Sequence, residues 1–320
     1  MYRKKIFYIG ICFFLTLVLS SCSLPSADEG SHTENEKISI VATIFPQYDF
    51  ARNVAGSLAK LTLLLPPGGE SHSYEPSPKD MIQIQESDLF IYVGGESDQW
   101  IEDILQTLDT SKITTLKLMD CVDTVYEEVP KGLDAHEEKH VHGSYAYDEH
   151  VWTSPKNAQK ITQAICDTLC TLDPENTQTY TQNCASYLAK LQTLDQSFEQ
   201  TVAAGKRNVM VFGDRFPFRY FSDAYGLAYF AAFPGCSSET EPSAATLAFL
   251  TKKIEEENIP VVFYIEMSSQ KVADALCEDT GAKKLLFHSC HNLTNEEFER
   301  GENYLSLMED NLENLKTALN

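Results

Sequence analysis

From Glu175 to Ala203, between Pro174 and Gly205, the chain contains no glycine or proline. Its apolar residues Tyr180, Cys184, Tyr187, Leu188, Leu191, Leu194 and Phe198 keep the three- and four-residue spacing of one helical face. At about 1.5 Å per residue such a helix is on the order of 40 Å long, enough to run across two lobes. A rod of that length divides the sequence into a part before it and a part after it. Both parts then show the same alternation of short apolar runs with amphipathic stretches.

Before the rod, strands are expected at Ile38 to Phe45, Leu61 to Leu65, Leu89 to Val93 and Thr115 to Met119. Helices alternate with them near Tyr48 to Ala59, from Pro78, and near Trp100 to Leu108. After it, strands at Val209 to Phe212, Ala228 to Phe233, Val261 to Ile265 and Lys284 to Phe287 alternate with helices, the last beginning at Asn295. This pattern predicts an α/β fold of two lobes, each a mostly parallel sheet with helices on both faces, joined by the long rigid helix. The expected divisions are a leader over 1–22, a tether over 23–37, a first lobe over 38–155, a helical linker over 156–204 and a second lobe over 205–320. Ligands in such sheets bind outside the carboxyl ends of the strands. The loop after Leu65 is one such place.

Arg3, Lys4 and Lys5 precede the apolar stretch Ile6 to Leu19, which reads as an export signal too short to span a bilayer. Leu19-Ser20-Ser21-Cys22 has the form of a bacterial lipobox, so cleavage before Cys22 and lipidation of its sulfur are expected. The polar stretch 23–37 then reads as a flexible tether to the outer face of the cell membrane. The chain carries 47 Asp and Glu against 25 Lys and Arg. A surface this acidic repels nucleic acid and attracts cations only weakly and without selectivity. There is no G-x-G-x-x-G, no P-loop and no H-E-x-x-H, which argues against nucleotide binding and metalloprotease chemistry.

Two histidines sit in unusual surroundings. His72 lies in Pro66-Pro67-Gly68-Gly69-Glu70-Ser71-His72-Ser73-Tyr74-Glu75-Pro76, and His150 in Asp148-Glu149-His150-Val151-Trp152-Thr153-Ser154-Pro155. Neutral imidazole is the commonest protein ligand for zinc and related ions. Taken together and in order, these segments closely resemble the solute-binding proteins of bacterial zinc and manganese ABC transporters, and the resemblance extends over nearly the whole mature chain. It implies that His72 and His150 bind a metal ion between the lobes, and that the stiff helix limits closure. It also implies an extracytoplasmic, lipid-anchored protein that hands its ion to an ABC permease, expected to act as a monomer and not as an enzyme.

The resemblance also shows where this chain departs. The slot that is His or Glu in relatives, counted back from Tyr225-Gly226-Leu227, holds Arg215. A guanidinium stays protonated and offers no lone pair. Either Asp214 supplies an oxygen in its place, or Arg215 neutralises carboxylates such as Glu75 or Glu266. Asp214 is equally suited to capping the helix near Pro217. The fourth slot, after the last strand, falls on His288, with Cys290 and His291 close behind as alternative donors. Nitrogen and sulfur donors favour Zn2+ over Mn2+. Three further points stay open: metal collection by the acidic stretch around His136, His140 and His142, pairing among Cys166, Cys170 and Cys184, and pairing between Cys236 and Cys290. Two rival readings remain, a secreted zinc hydrolase using Glu75 or Glu266 as base, and an adhesin-like surface lipoprotein.

Overall fold

The apolar run Ile38–Ala42 forms β1, and the chain turns directly into helix α1 (Phe45–Ala55), with Pro46 in its first turn. Strand β2 (Ala59–Leu63), helix α2 (Pro78–Gln85), strand β3 (Leu89–Tyr92), helix α3 (Gln99–Leu105) and strand β4 (Thr114–Lys117) complete the first sheet. Two helices follow, α4 (Pro155–Leu172) and α5 (Thr177–Ala204). The second sheet comprises β5 (Val209–Phe216), β6 (Ala228–Pro234), β7 (Val261–Tyr264) and β8 (Lys283–Leu286). Helices α6 (Arg219–Tyr225), α7 (Ala244–Glu256) and α8 (Lys271–Thr280) connect these strands, and α9 (Asn295–Arg300) and α10 (Tyr304–Leu319) close the chain. This computed structural model describes residues 37–70, 74–109, 111–133, 146–235, 237 and 241–320.

Every pairing within the two sheets is parallel. The strand order β2-β1-β3-β4 of the first sheet recurs as β6-β5-β7-β8 in the second. In each sheet the chain therefore leaves the first strand toward one edge and returns to build the other. The crevice at such a switch point lies beyond the carboxyl ends of β1 and β3, and of β5 and β7. That is the expected two-lobe α/β fold.

The rod is α5, 28 residues long, and it binds a different lobe with each half. Toward its start, the Asn183 side chain donates to the carbonyl of Val54 at 3.0 Å, and the Tyr187 hydroxyl donates to Asp49 at 3.4 Å. Toward its end, the Phe198 ring meets Phe221 at 5.0 Å and Tyr225 at 5.4 Å. One apolar core consequently runs from Phe50 through Trp152 and Phe198 to Phe212 and Phe287. Among the described residues no helix is long and apolar enough to cross a membrane.

Two local features depart from the sequence expectation. The terminal helix from Asn295 is interrupted by Gly301, whose φ of 77° ends α9 in the left-handed region. Strand β5 continues past Phe212 to Phe216, with a register shift against β6 between Phe212 and Arg215. At that shift a Cβ on Gly213 would stand 2.5 Å from the backbone of Ala273, so only glycine lets α8 approach. The irregularity changes which way Asp214 and Arg215 face.

The double attachment of α5 has a measurable consequence. Phe198→Ala should lower stability by about 3–5 kcal/mol, because a buried ring between helix and second lobe is lost. Urea unfolding should show one cooperative transition at a lower midpoint. A loss below about 1 kcal/mol would mean that the ring does not tie the rod to that lobe.

Candidate metal centre

His150 precedes a short turn over Val151–Thr153 that leads into α4. Asp148 accepts from the His150 backbone N–H at 2.8 Å, and its same oxygen lies 3.0 Å from Nδ1 of the ring. Thr153 donates its hydroxyl to the His150 carbonyl at 2.8 Å. With the shared proton on Nδ1, the lone pair resides on Nε2, the arrangement a metal-binding imidazole needs. Burial disfavours the imidazolium, but the carboxylates of Asp148, Glu149 and Glu127 outweigh it and hold the pKa above its ordinary value. The second lobe buttresses this segment, since the Tyr220 hydroxyl donates to the Asp148 carbonyl at 2.8 Å.

His291 approaches from the second lobe. Its ring centroid lies 5.7 Å from that of His150, at 84°. Trp152 lies against both rings, 5.5 Å from His150 and 5.0 Å from His291. Two imidazoles on one tetrahedral zinc, at Zn–N distances of about 2.0–2.1 Å, have ring centroids about 5 Å apart. The observed separation is close to that value. Glu70, Arg215, Pro217 and Glu266 line the same cleft, which holds about 390 Å³ of empty space open to solvent.

The remaining candidates are placed otherwise. His288, expected in the fourth slot, is buried and does not line the cleft. Its Nδ1 accepts from the Cys290 N–H at 2.9 Å, and its Nε2 lies 3.7 Å from Glu297, an ion-pair distance. Cys290 has a positive φ of 59°, is fully buried in the core, and its thiol pKa is pushed well up by burial. That left-handed turn sends His288 inward and His291 toward the cleft. Asp214 also faces away from the cleft: its carboxylate accepts from the N–H of Arg215 at 2.9 Å and of Ile265 at 3.3 Å. It thus caps the backbone of β5 and β7. Burial pushes its carboxyl pKa up, against the opposing pull of these donors.

Glu75 is exposed and away from the cleft lining. Glu266 lines the cleft but accepts from the Ser289 N–H at 2.7 Å, the Ser289 hydroxyl, and the His291 N–H at 3.3 Å. It therefore fixes the backbone of the His291 turn. Arg215 points to the cleft and faces Glu70 at 3.7 Å, not Glu75 or Glu266. His72, Cys22, Cys236 and the stretch holding His136, His140 and His142 lie outside the described residues. Among the described residues no three His, Cys, Asp or Glu side chains are grouped closely enough to hold a metal ion.

The model of the family described as the periplasmic component A of zinc-uptake complexes, ZnuA, matches residues 40–318. The chain belongs to the ZnuA family. It is 36% identical over 301 residues to the zinc-binding lipoprotein AdcA of Streptococcus pneumoniae strain R6, covering 94% of this chain and 58% of AdcA. The chain thus spans a little over half the length of that relative. It is 32% identical to the high-affinity zinc uptake system protein ZnuA of Bacillus subtilis, over 100% of this chain and 99% of that one. Among solved structures, the Zn(II)-bound ZnuA-like domain of Streptococcus pneumoniae AdcA superposes with a TM-score of 0.72 at 35% identity, covering 88% of this chain and 99% of that domain. The family is one of metal-binding transport components and not of enzymes.

The inward position of His288 makes stability pH-dependent. Glu266 and Glu297 hold its pKa above the ordinary 6.5 despite burial, so its stabilising contribution is complete below 6.5 and is lost as pH rises through the raised value. His288 in turn holds Glu297 down at about 2 from an ordinary 4.5, a contribution present above 4.5 and lost as pH falls toward 2. Metal-free protein should therefore gain most from the pair between pH 4.5 and 6.5, and Glu297→Gln should lose most stability there. Urea midpoints across pH 4 to 8 that differ from wild type by a constant amount would contradict the pairing.

Proposed function

We propose that this protein captures one zinc ion in the cleft between its sheets and delivers it to an ABC permease. The observation that carries this reading is the meeting of His150 and His291, one from each side of the cleft, at a separation suited to one ion. His72, in the loop that Pro66 opens, is the third nitrogen donor by its resemblance to the metal-binding histidines of the family. His291, named beside His288 and Cys290 as a candidate for the fourth slot, is the donor from the second lobe. The chemistry is ligand exchange: an incoming ion replaces its water with neutral imidazole, and any proton on a ligand nitrogen must leave first. Donors from both sides of the cleft let the ion favour the closed arrangement, a difference the permease can read.

Three neutral nitrogens suit zinc, whereas manganese prefers oxygen-rich sites of higher coordination number. Leu19-Ser20-Ser21-Cys22 supports lipidation at Cys22, which would hold a monomeric carrier near its permease on the outer face of the membrane. The relatives' zinc-uptake and lipoprotein names agree with this placement.

Purified protein should bind one zinc, and zinc should displace manganese at equal concentration. Replacing His72, His150 or His291 with Ala should weaken zinc binding at least tenfold, about 1.4 kcal/mol each. His288→Ala should leave it unchanged. Chelator-competition titrations provide the test. Loss of affinity in His288→Ala with none in His291→Ala would reverse the assignment, and no loss in any of the first three would remove the cleft site.

A further inference from the structure

Three thiols meet where α4 packs on α5. Cys166 and Cys170 stand one turn apart on α4, and Cys184 comes from the first half of α5. The two helices run antiparallel, and the sulfur contacts give their register. The half-buried Cys170 has its sulfur 3.9 Å from the Thr177 carbonyl and 3.9 Å from the Thr181 hydroxyl, toward the start of α5. The Cys184 thiol donates to the Thr162 carbonyl and to the Gln163 side chain, each at 3.9 Å, about one turn before Cys166. Cys166 lies between these contacts, buried and within hydrogen-bond reach of both other thiols. All three are thiols in this structure. Among the described residues no three such groups are close enough to hold a metal ion, so the chemistry open to the cluster is that of sulfur with sulfur.

Two pairings are open to Cys166. With Cys170 it would have to bridge one turn of a single helix, where β-carbons four residues apart stand about 5–6 Å from each other. A disulfide needs about 3.5–4.5 Å, so that bond would unwind α4. With Cys184 the bond crosses between two helices whose side chains already meet. The family to which the chain belongs is periplasmic, and compartments outside the cytoplasm are oxidising. We infer that Cys166 and Cys184 form a disulfide that staples α4 to α5 and leaves Cys170 as a thiol. The oxidant is itself a disulfide. One cysteine thiolate attacks an oxidant sulfur and expels the other as a thiol; the second cysteine attacks the mixed disulfide and releases the remaining thiol. Two electrons and two protons thereby pass to the oxidant. Burial, with the neighbouring Cys184 and Cys170 thiols, pushes the Cys166 thiol pKa up, and burial raises that of Cys184 as well. Thiolate is scarce once the helices have packed, so the bond forms while the chain folds and is sheltered afterwards. It joins the helix that continues from the His150 turn to the helix that fastens both lobes.

The test uses the mature chain exported from a bacterial cell and alkylated during denaturation. Trypsin leaves residues 161–190 as one peptide holding all three cysteines, because no Lys or Arg stands between Lys160 and Lys190. That peptide should carry one alkyl group, on Cys170, and lack the two hydrogens lost in the cross-link. Cleavage after Glu175 should leave its halves joined until a reductant is added. Cys170→Ser should keep the cross-link, and Cys166→Ser and Cys184→Ser should each lose it. Reductant should lower the melting temperature of wild type by about 5 °C and leave that of Cys184→Ser unchanged. Three alkyl groups on the wild-type peptide would overturn the inference. So would a cross-link that includes Cys170, or one that survives in Cys184→Ser.

Discussion

Trp152 is the contact on which the two halves of this molecule depend. Its indole N–H donates to the Ser289 carbonyl at 2.9 Å, and its own carbonyl accepts from the Tyr304 hydroxyl at 2.8 Å. One bond reaches the turn that carries His291 and the other reaches the terminal helix α10. The ring is fully buried and lies against both His150 and His291. A large apolar side chain whose polar groups are all satisfied defines one packing arrangement, because any shift would strand a buried donor or acceptor. The spacing of the two imidazoles thus follows from the core and does not wait for a metal to assemble it.

Around that pivot the charges are arranged in layers. Asp148 orients the His150 ring, Glu266 holds the backbone of the His291 turn, and Asp49, on the buried face of α1, receives the Tyr304 N–H at 3.1 Å. None of these carboxylates needs to touch an ion to serve the site. Buried acids that accept several hydrogen bonds keep elements rigid, and rigidity beneath the ligands limits the cost of ordering them when the ion arrives. The long helix α5 adds to this by fastening Asp49 on one side and Tyr225 on the other. It has one face for both lobes, so large hinge motion would break packing on one of them.

Much of this was legible in the sequence, and the reasons for the gaps are local. The rod announced itself through the lack of Gly and Pro and through apolar spacing, and the repeated strand and helix alternation gave the two parallel sheets. His150 stood out because Pro155 and the preceding acids fix its surroundings. What spacing does not reveal is the direction of a side chain in a tight turn. His288 and His291 are three residues apart, and the left-handed backbone of Cys290, uncommon for a residue with a side chain, sends one inward and the other to the cleft. Asp214 looked like a ligand and Glu266 like a partner of Arg215 or a base, because sequence shows a carboxylate but not the backbone N–H groups it faces. The pairing of Arg215 with Glu70 crosses between lobes, and its only trace in sequence is that Glu70 shares a loop with His72.

The central claim is that one ion sits between His150 and His291. Diffraction from zinc-loaded crystals, measured on both sides of the zinc absorption edge, tests it most directly. The account predicts a single strong anomalous peak about 2.0–2.1 Å from a ring nitrogen of each of these two histidines. A peak bound by His288 or Cys290, or one on the acidic surface with the cleft empty, would contradict it.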